Sequence, residues 1–172
     1  MIIDIDRLPK EGLKITRELE FLSVDLVEES AVFLEPTHAE LVVKKKGEEI
    51  FIKGRVKTCL SIICSRCLAP FDFAVDSTFD LVYFPEELDV VKEQLDNEDI
   101  NRLFYYSRQL NLREVVLEQL NLTFPLKPLC SPDCQGICPI CGQIIKEGEC
   151  SCVRDKSDPR LEKLKIFLRD KG

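Results

Sequence analysis

CSPDCQGICPICGQIIKEGECSC, residues 130–152, holds six of the nine cysteines of this 172-residue chain. Two further cysteines, Cys64 and Cys67, form a C-x2-C motif in the middle of the chain. Thiolates separated by one, two or three residues can direct two sulfurs at one ion, and four sulfurs around Zn²⁺ are the usual structural site. Four close pairs therefore predict two structural zinc sites, with the candidate ligands Cys64, Cys67, Cys130, Cys134, Cys138, Cys141, Cys150 and Cys152.

The four cysteine pairs can be joined two by two in three ways. Residues 138–142 form a C-P-x-C-G knuckle, in which Pro139 fixes a turn and Gly142 permits a left-handed residue after the second sulfur. Short loops cost less entropy to close, so we expect this knuckle to share an ion with Cys150 and Cys152. By elimination, Cys64 and Cys67 would join Cys130 and Cys134 and connect the middle of the chain to its tail. One ion rather than two remains an alternative.

Three other uses of these cysteines compete with zinc. A disulfide framework needs an oxidising compartment, whereas the N-terminus, MIIDIDRLPKEG, lacks the apolar region of a secretory signal. The spacing matches neither common ferredoxin pattern, which disfavours an iron–sulfur cluster. A redox switch stays open, because C-x-C beside C-x2-C can release metal on oxidation. We expect a cytoplasmic protein without a membrane segment.

The middle of the chain has the alternation of an antiparallel β-meander. Strands over 40–44 and 50–56 flank a hairpin turn at 45–48, and the second strand continues to Cys64. After the CSRC knuckle the alternation resumes from 68 to 84. A hairpin centred on that knuckle pairs position i with position 131 − i, which sets Ile50 against Leu81 and places the apolar faces together.

Charge limits the ways in which this chain could bind nucleic acid. The formal net charge is −7, and binding to nucleic acid depends mainly on neutralising phosphates. Lys53, Arg55 and Lys57 lie opposite Asp72, Asp76 and Asp80 in the predicted hairpin, and we favour cross-strand pairing over an RNA-binding stripe. The better candidates for touching phosphate, or a partner, are Lys44, Lys45 and Lys46, which have only Glu48 and Glu49 nearby, and Arg66 on the knuckle.

The predicted fold is α+β: an antiparallel β-meander core with a few helices and a cysteine-rich, zinc-binding C-terminal segment. Residues 86–99 hold seven acids and one lysine and predict a solvated connection. Asn111 with Glu114 predicts an N-cap and a helix over 111–121, and Ser157-Asp158-Pro159 predicts the start of another. We expect a β-rich core over 1–128, a zinc-binding segment over 129–156 and a helix over 157–172 packed on the core, within what could be one continuous domain.

The chain resembles the YceD family, whose members are described as large ribosomal RNA subunit accumulation proteins. The resemblance rests on C-S-R-C-L-x-P-F at 64–71, P-L-x-P-L-C-x3-C-x-G-x-C-P-x-C-G at 125–142, the C-x-C ending at Cys152 and D-P-R-L at 158–161. It implies a bacterial-type cytosolic factor needed for normal 23S ribosomal RNA levels, without supplying a mechanism. Cys59 lies outside these motifs and is interpreted as a strand residue.

Two classes of function follow. The first is a non-enzymatic factor in ribosome biogenesis that promotes accumulation of large-subunit ribosomal RNA by binding that RNA or a basic ribosomal protein. The second is a zinc-dependent redox sensor or chaperone. An enzyme is disfavoured, because the sole histidine, His38, lies far from the cysteines in sequence and no nucleophile–base constellation is visible. No small-molecule substrate is inferred.

Overall fold

The computed structural model describes residues 1–28, 30–85, 103–145 and 152. Within them it contains a six-stranded sheet, a small two-stranded sheet, two single-turn 3-10 helices at Ile5–Arg7 and Ser23–Asp25, and one α-helix. The elements in chain order are β1 (Ile2–Asp4), β2 (Leu13–Leu19), β3 (Val32–Phe33), β4 (Thr37–Lys46), β5 (Glu49–Ile63), β6 (Pro70–Pro85), β7 (Leu103–Tyr105), β8 (Gln109–Asn111) and α1 (Leu112–Asn121).

The large sheet has the strand order β2-β4-β5-β6-β7, with β3 paired to one end of β5. Its pairings are antiparallel except for β6 with β7, which is parallel. The predicted antiparallel, β-rich α+β fold is therefore confirmed. The small sheet pairs β1 with β8 and brings the first residues of the chain beside the start of α1.

The core lies between one face of the sheet and helix α1. Alternate residues of β4 and β5 point inward, and Leu41, Ile52 and Leu60 have no exposed surface. From the helix, Leu112 and Leu120 are equally buried. Burying such side chains contributes about 1.5–3 kcal/mol each, which makes this layer the main stabilising feature of the fold.

The β4–β5 hairpin turns at Gly47 and Glu48, between the paired residues Lys46 and Glu49. Gly47 has φ +66°, and a glycine at the first of two loop positions suits a tight antiparallel hairpin. The turn lies where the sequence predicted it, although β4 begins earlier than expected, at Thr37.

The β5–β6 hairpin confirms the predicted partners and corrects their register. Position i pairs with position 133 − i, as Ile50 with Tyr83 shows, so the predicted register is wrong by two residues. The loop is not centred on the CSRC knuckle, because Leu68 adopts φ +59° and its N–H donates to the Cys64 carbonyl at 2.9 Å. Leu68 therefore belongs to the loop, which moves the centre of the hairpin by one position. A shift of two residues keeps each side chain on its face, so the apolar faces still coincide.

Cross-strand ion pairs occupy the outer face of this hairpin, as predicted. Arg55 binds Asp76 through two hydrogen bonds of 2.7 Å, and Lys53 lies 2.6 Å from Asp80. Lys57 also lies 3.7 Å from Asp76. The Arg55 guanidinium holds the pKa of the Asp76 carboxyl below its usual range. These cations are thus paired locally, which confirms the predicted cross-strand pairing.

Helix α1 matches the prediction from its capping residues. Asn111 is the N-cap, and its side-chain oxygen accepts a hydrogen bond from the backbone N–H of Arg113 at 3.2 Å. Glu114 accepts from the Asn111 side-chain amide at 2.7 Å rather than from its backbone N–H, a variant of the expected capping box.

Some predictions fall on residues outside those described. They are the acidic connection over 86–99, the helix beginning at Ser157, and the ligand Cys150. The division of the chain at 128/129 and 156/157 likewise stays a prediction.

Candidate metal centre

The first cysteine group begins at the tip of the β5–β6 hairpin. Cys64 and Cys67 are both buried there. The Cys64 N–H donates to the Ala69 carbonyl at 3.0 Å, and Leu68 N–H donates back to Cys64. These two bonds close the hairpin across the knuckle, so the positions of both sulfurs follow from the pairing of the two longest strands.

The segment that carries Cys130 and Cys134 is held against this knuckle by hydrogen bonds. The Ser65 N–H donates to the Pro128 carbonyl at 2.8 Å. From the knuckle, the Arg66 Nη1 atom donates to the carbonyls of Pro132 and Cys134 at 3.2 and 2.8 Å. The knuckle and the tail segment are therefore joined by hydrogen bonds to carbonyls before and after Cys130.

Gly136 is a second point at which the tail segment closely approaches the knuckle. A Cβ atom at Gly136 would lie 2.9 Å from the Arg66 carbonyl oxygen, and the residue has φ +82°. Both the space and the backbone conformation therefore favour glycine at this point.

The four sulfurs of this group have the spacing of a tetrahedral metal site. Cys64 Sγ lies 3.8 Å from Cys134 Sγ, Cys67 Sγ lies 3.7 Å from Cys130 Sγ, and all four sulfurs lie within 4.8 Å of one another. Zinc–sulfur bonds of about 2.3 Å in a regular tetrahedron give sulfur–sulfur distances of about 3.8 Å. A disulfide needs about 2.05 Å. The arrangement fits one tetrahedral ion better than two disulfides.

The second cysteine group lies in a small hairpin further along the tail. The sulfurs of Cys138, Cys141 and Cys152 lie within 4.8 Å of one another. Cys138 is buried, and its sulfur accepts a hydrogen bond from the Ile140 N–H at 3.4 Å. These three are the described members of the local group expected from the sequence, and three sulfurs supply three of the four ligands of a structural zinc site.

Both C-x2-C knuckles have the same backbone arrangement. In the second, the Gly142 N–H donates to the Cys138 carbonyl at 2.8 Å and the Cys138 N–H donates to the Gln143 carbonyl at 2.7 Å. These bonds correspond to the two that close the knuckle at Cys64. Gly142 has φ +73°, as predicted, and Leu68 takes the same left-handed conformation without being glycine. Two unrelated stretches of chain thus present paired sulfurs in the same way.

Electrostatics within the first group favours a cation at its centre. The backbone N–H of Cys67 lowers the pKa of the Cys64 thiol to about 6. In contrast, the Cys130 thiol hydrogen-bonds to the sulfurs of Cys134 and Cys67, which raises its pKa to about 12. One thiolate is therefore stabilised by N–H donors, whereas further thiolates at this distance repel one another. A divalent cation among them would remove the repulsion.

His38 and Cys59, which the sequence analysis also considered, belong to neither of the described cysteine groups. His38 is on β4, with Nε2 at 3.5 Å from a Glu40 oxygen. Cys59 is a strand residue of β5, as interpreted, and belongs to neither described sulfur group.

The candidate cations at 44–46 lie at the end of β4, and one of them has an acidic partner that the sequence did not reveal. Lys45 Nζ lies 3.7 Å from Asp6, so the expectation that only Glu48 and Glu49 are near these lysines is wrong. Asp6 is brought there by the N-terminal 3-10 helix, where it also pairs with Arg108 at 3.0 Å. The role of Lys44, Lys45, Lys46 and Arg66 in binding RNA stays a prediction.

Sequence reasoning missed the contribution of Arg66 to the cysteine site. The sequence marks Arg66 as a candidate contact for phosphate, whereas in the structure it donates to two carbonyls of the opposite segment. No spacing rule identifies such a contact. Arg66 lies between two candidate ligands in the sequence, so its side chain must extend towards the segment that supplies the other ligands. This position is the signal that could have identified the contact.

Within the part of the chain that the structure describes, no helix is long and apolar enough to cross a membrane.

The chain matches a known protein family. A family model described as "Large ribosomal RNA subunit accumulation protein YceD" matches residues 52–168. This range is more than half of the chain and contains all eight candidate ligands.

Individual relatives are distant. An uncharacterized protein of Mycobacterium tuberculosis is 27% identical over 130 residues, which cover 75% of this chain and 60% of the relative. An uncharacterized protein of Mycobacterium leprae is 23% identical over 135 residues, covering 77% of this chain and 59% of the relative. The chain thus spans about 60% of the length of these curated relatives.

A plant protein supplies a descriptive name. The chloroplastic "Large ribosomal RNA subunit accumulation protein YCED homolog 1" of Arabidopsis thaliana is 22% identical over 146 residues, covering 72% of this chain and 46% of the relative. No solved structure matches the chain. The extent of the family match, which includes both knuckles and the tail that joins them, shows that this chain belongs to the YceD family.

Proposed function

We propose that this chain is a non-enzymatic factor in ribosome biogenesis that promotes the accumulation of large-subunit ribosomal RNA. The observation that carries the proposal is the family match over residues 52–168, which includes the hairpin tip and both cysteine groups. The protein acts in the cytoplasm by binding either the RNA or a basic ribosomal protein.

Zinc is the cofactor that we propose, with two ions per chain. Tetrahedral sulfur sites of this size suit Zn²⁺ among the common biological metals. One ion would be held by Cys64, Cys67, Cys130 and Cys134, and the other by Cys138, Cys141, Cys150 and Cys152. When bound, the metal supplies a crosslink and neutralises thiolates. Four protein ligands leave no open position for a substrate, which supports a structural role over a catalytic one.

The partner is the less defined part of the proposal. The chain has a net charge of −7 and a pI of about 4.9, and Lys53, Arg55 and Lys57 are already paired with aspartates. Broad contact with RNA phosphates is therefore unfavourable. These observations support a basic ribosomal protein, or an RNA contact restricted to Lys44, Lys46 and Arg66, with Lys45 partly neutralised by Asp6.

A redox role is the second candidate, favoured by the exposure of Cys130 and Cys141. Peroxide that reached these sulfurs would take two electrons from a pair of thiolates, form a disulfide and be reduced to water. Metal would then leave the site. Retention of zinc by folded protein under mild peroxide would argue against this candidate.

Removal of the protein from cells tests the main proposal. In a bacterium depleted of its own YceD-family protein, this chain should restore the ratio of 23S to 16S ribosomal RNA. Cys134→Ser should fail to restore it, whereas Cys59→Ser, which changes a cysteine outside both described groups, should succeed. A ratio that does not change on depletion would contradict the proposed function.

A further inference from the structure

One surface of the molecule combines exposed apolar side chains with acids that form no ion pair with the described cations. It is formed by residues 20–28 of the loop between β2 and β3 and by β3 with the two residues after it. We call it the acidic-apolar face. Its members are Glu20, Leu22, Val24, Asp25, Val27, Glu28, Val32, Leu34 and Glu35.

The apolar side chains of this face are well exposed although the loop that carries them is anchored. Leu22, Val24 and Val27 are 68%, 79% and 75% exposed, whereas Phe21 and Leu26 of the same loop are buried. Buried side chains that hold the loop on the core thus alternate with aliphatic side chains that face outward. Several exposed aliphatic groups on one ordered loop mark an interaction surface more often than scattered single ones do.

Hydrogen bonds fix the conformation of the loop. Asn121, at the end of α1, accepts from the Val27 N–H at 2.9 Å and donates to the Asp25 carbonyl at 3.3 Å. Arg113 of the same helix lies beneath the loop, with its guanidinium 4.4 Å from the centre of the Phe21 ring. The apolar groups are therefore presented in a defined arrangement, which lowers the entropy lost when a partner binds.

The charged side chains of the acidic-apolar face are all acidic. The sequence from Glu18 to Val43 contains seven acids and neither lysine nor arginine. Elsewhere in the described residues, acids of the sheet such as Asp76 and Asp80 pair with neighbouring cations, whereas Glu20, Asp25, Glu28 and Glu35 take part in none of the ion pairs between described side chains. Arg113 is close, but it donates to the Glu20 backbone carbonyl rather than to a carboxylate.

A small cavity at the edge of this face shows how a cationic side chain could be held. It has a volume of about 160 Å³ and is lined by Phe21, Phe33 and Leu34, with Glu20 and Glu35 among the other lining residues. Apolar walls with two glutamates among the lining residues would suit the aliphatic stem and charged head of lysine or arginine.

We propose that the acidic-apolar face is the docking surface for a basic, apolar-bearing segment of a ribosomal protein. This inference rests on the proposed function and specifies its partner. Exposed acids repel RNA phosphates, whereas a segment rich in lysine, arginine and aliphatic residues matches the face in charge and in hydrophobicity. Electrostatic attraction would guide such a segment to the face, and the burial of Leu22, Val24 and Val27 would retain it.

The test uses the full chain with its metal and purified large-subunit ribosomal proteins freed of RNA. Each ribosomal protein is titrated separately against the fluorescently labelled chain, and binding is measured by anisotropy. The apolar variant is Leu22→Ser/Val24→Ser/Val27→Ser, and the charge variant is Glu20→Gln/Asp25→Asn/Glu28→Gln. The matched control is Ile2→Ser/Tyr106→Ser, which removes two apolar groups that are 64% and 55% exposed elsewhere.

At least one basic ribosomal protein should bind, and the apolar variant should weaken this binding at least tenfold. The charge variant should weaken it too and reduce its dependence on salt, because fewer charges remain to be screened. The control should bind like the unaltered chain. Thermal melting of each variant shows whether it is folded, and substitutions at such exposed positions are expected to leave melting nearly unchanged.

Any of four results with the variants would overturn the inference: no ribosomal protein binds; the apolar variant binds as tightly as the unaltered chain; the apolar variant loses affinity for 23S ribosomal RNA instead; or the apolar variant alters only self-association in sedimentation. Crosslinks between the face and residues 153–172 in the isolated chain would assign the face to the protein's own tail and would also overturn it. If docking is confirmed but depletion leaves the 23S ratio unchanged, the proposed function fails while the docking surface stands.

Discussion

Cys64 Sγ lies 3.8 Å from Cys134 Sγ although 70 positions separate the two residues in the chain. The contact joins the tip of the longest hairpin to the tail. A crosslink over so long a loop restricts the unfolded chain more than a local one would, so this group should contribute more to stability than the group at Cys138.

Metal removal should loosen the junction and leave the sheet intact. The Ser65 N–H, which donates to Pro128, should exchange its hydrogen at least tenfold faster after treatment with a chelator, because the segment that carries Pro128 is no longer tied to the knuckle. Ile52, at the centre of the sheet, serves as the internal control and should keep its protection. Hydrogen exchange followed by mass spectrometry measures both. Loss of protection throughout β5 would contradict this expectation.

Arg66 should hold the tail segment in place for metal retention. Arg66→Gln removes the hydrogen bonds to the carbonyls of Pro132 and Cys134, and supporting contacts of this kind typically change metal affinity by about 10–100-fold. We expect zinc to pass faster from the variant to a chromophoric chelator. Lys57→Gln is the matched control, since it removes a cation from strand β5 without touching the cysteines. Equal release from both variants would show that Arg66 has no such role.

Gly54 should be intolerant of any side chain because Phe79 lies across it. A Cβ atom at this position would come 2.7 Å from Cδ2 of Leu41 and would also meet the ring of Phe79. Gly54→Ala should destabilise the protein by about 1–3 kcal/mol through overpacking. Urea unfolding measures the change.

Gly47→Ala, at the turn of the β4–β5 hairpin, is the comparison variant for Gly54→Ala. Gly47 has open space around it but a left-handed backbone, so the expected cost is strain alone, about 1 kcal/mol. A larger loss at Gly47 than at Gly54 would contradict the packing argument.

The pair Arg55–Asp76 should make a pH-dependent contribution to stability. Because the folded-state pKa of Asp76 lies below its unfolded value, its contribution is present above the unfolded pKa and is lost as pH falls through the folded one. The difference in urea midpoint between the unaltered chain and Asp76→Asn should therefore shrink below about pH 4. Acid release of any bound metal would affect both chains and would largely cancel in the difference. A difference that grows with acidity would contradict the assignment.

The sequence was most informative where chemistry restricts geometry. Cysteine spacing predicted which of the described sulfurs would meet, and the left-handed residue at Gly142 followed from the residue type. Alternation predicted the strands of the meander and their faces. The register could not be obtained in the same way, because it depends on the left-handed conformation of Leu68, a residue that gives no local signal for φ above zero.

Most of the structural features that the sequence did not predict are contacts between residues far apart in the chain. The N-terminal strands have short apolar patterns that become strands only against β4 and β8. The partner of Lys45 is Asp6, and the partners of Arg66 are backbone carbonyls of the tail. Such pairs depend on how the chain folds back on itself, which residue type and spacing do not determine.

Native mass spectrometry of the untagged chain tests the central claim, that two sulfur groups each hold one ion and that one group joins the hairpin to the tail. We expect two zinc ions in the unaltered chain and in Cys59→Ser, and one in Cys64→Ser and in Cys138→Ser. A chain purified without zinc, or a Cys64→Ser variant that still carries two ions, would contradict it.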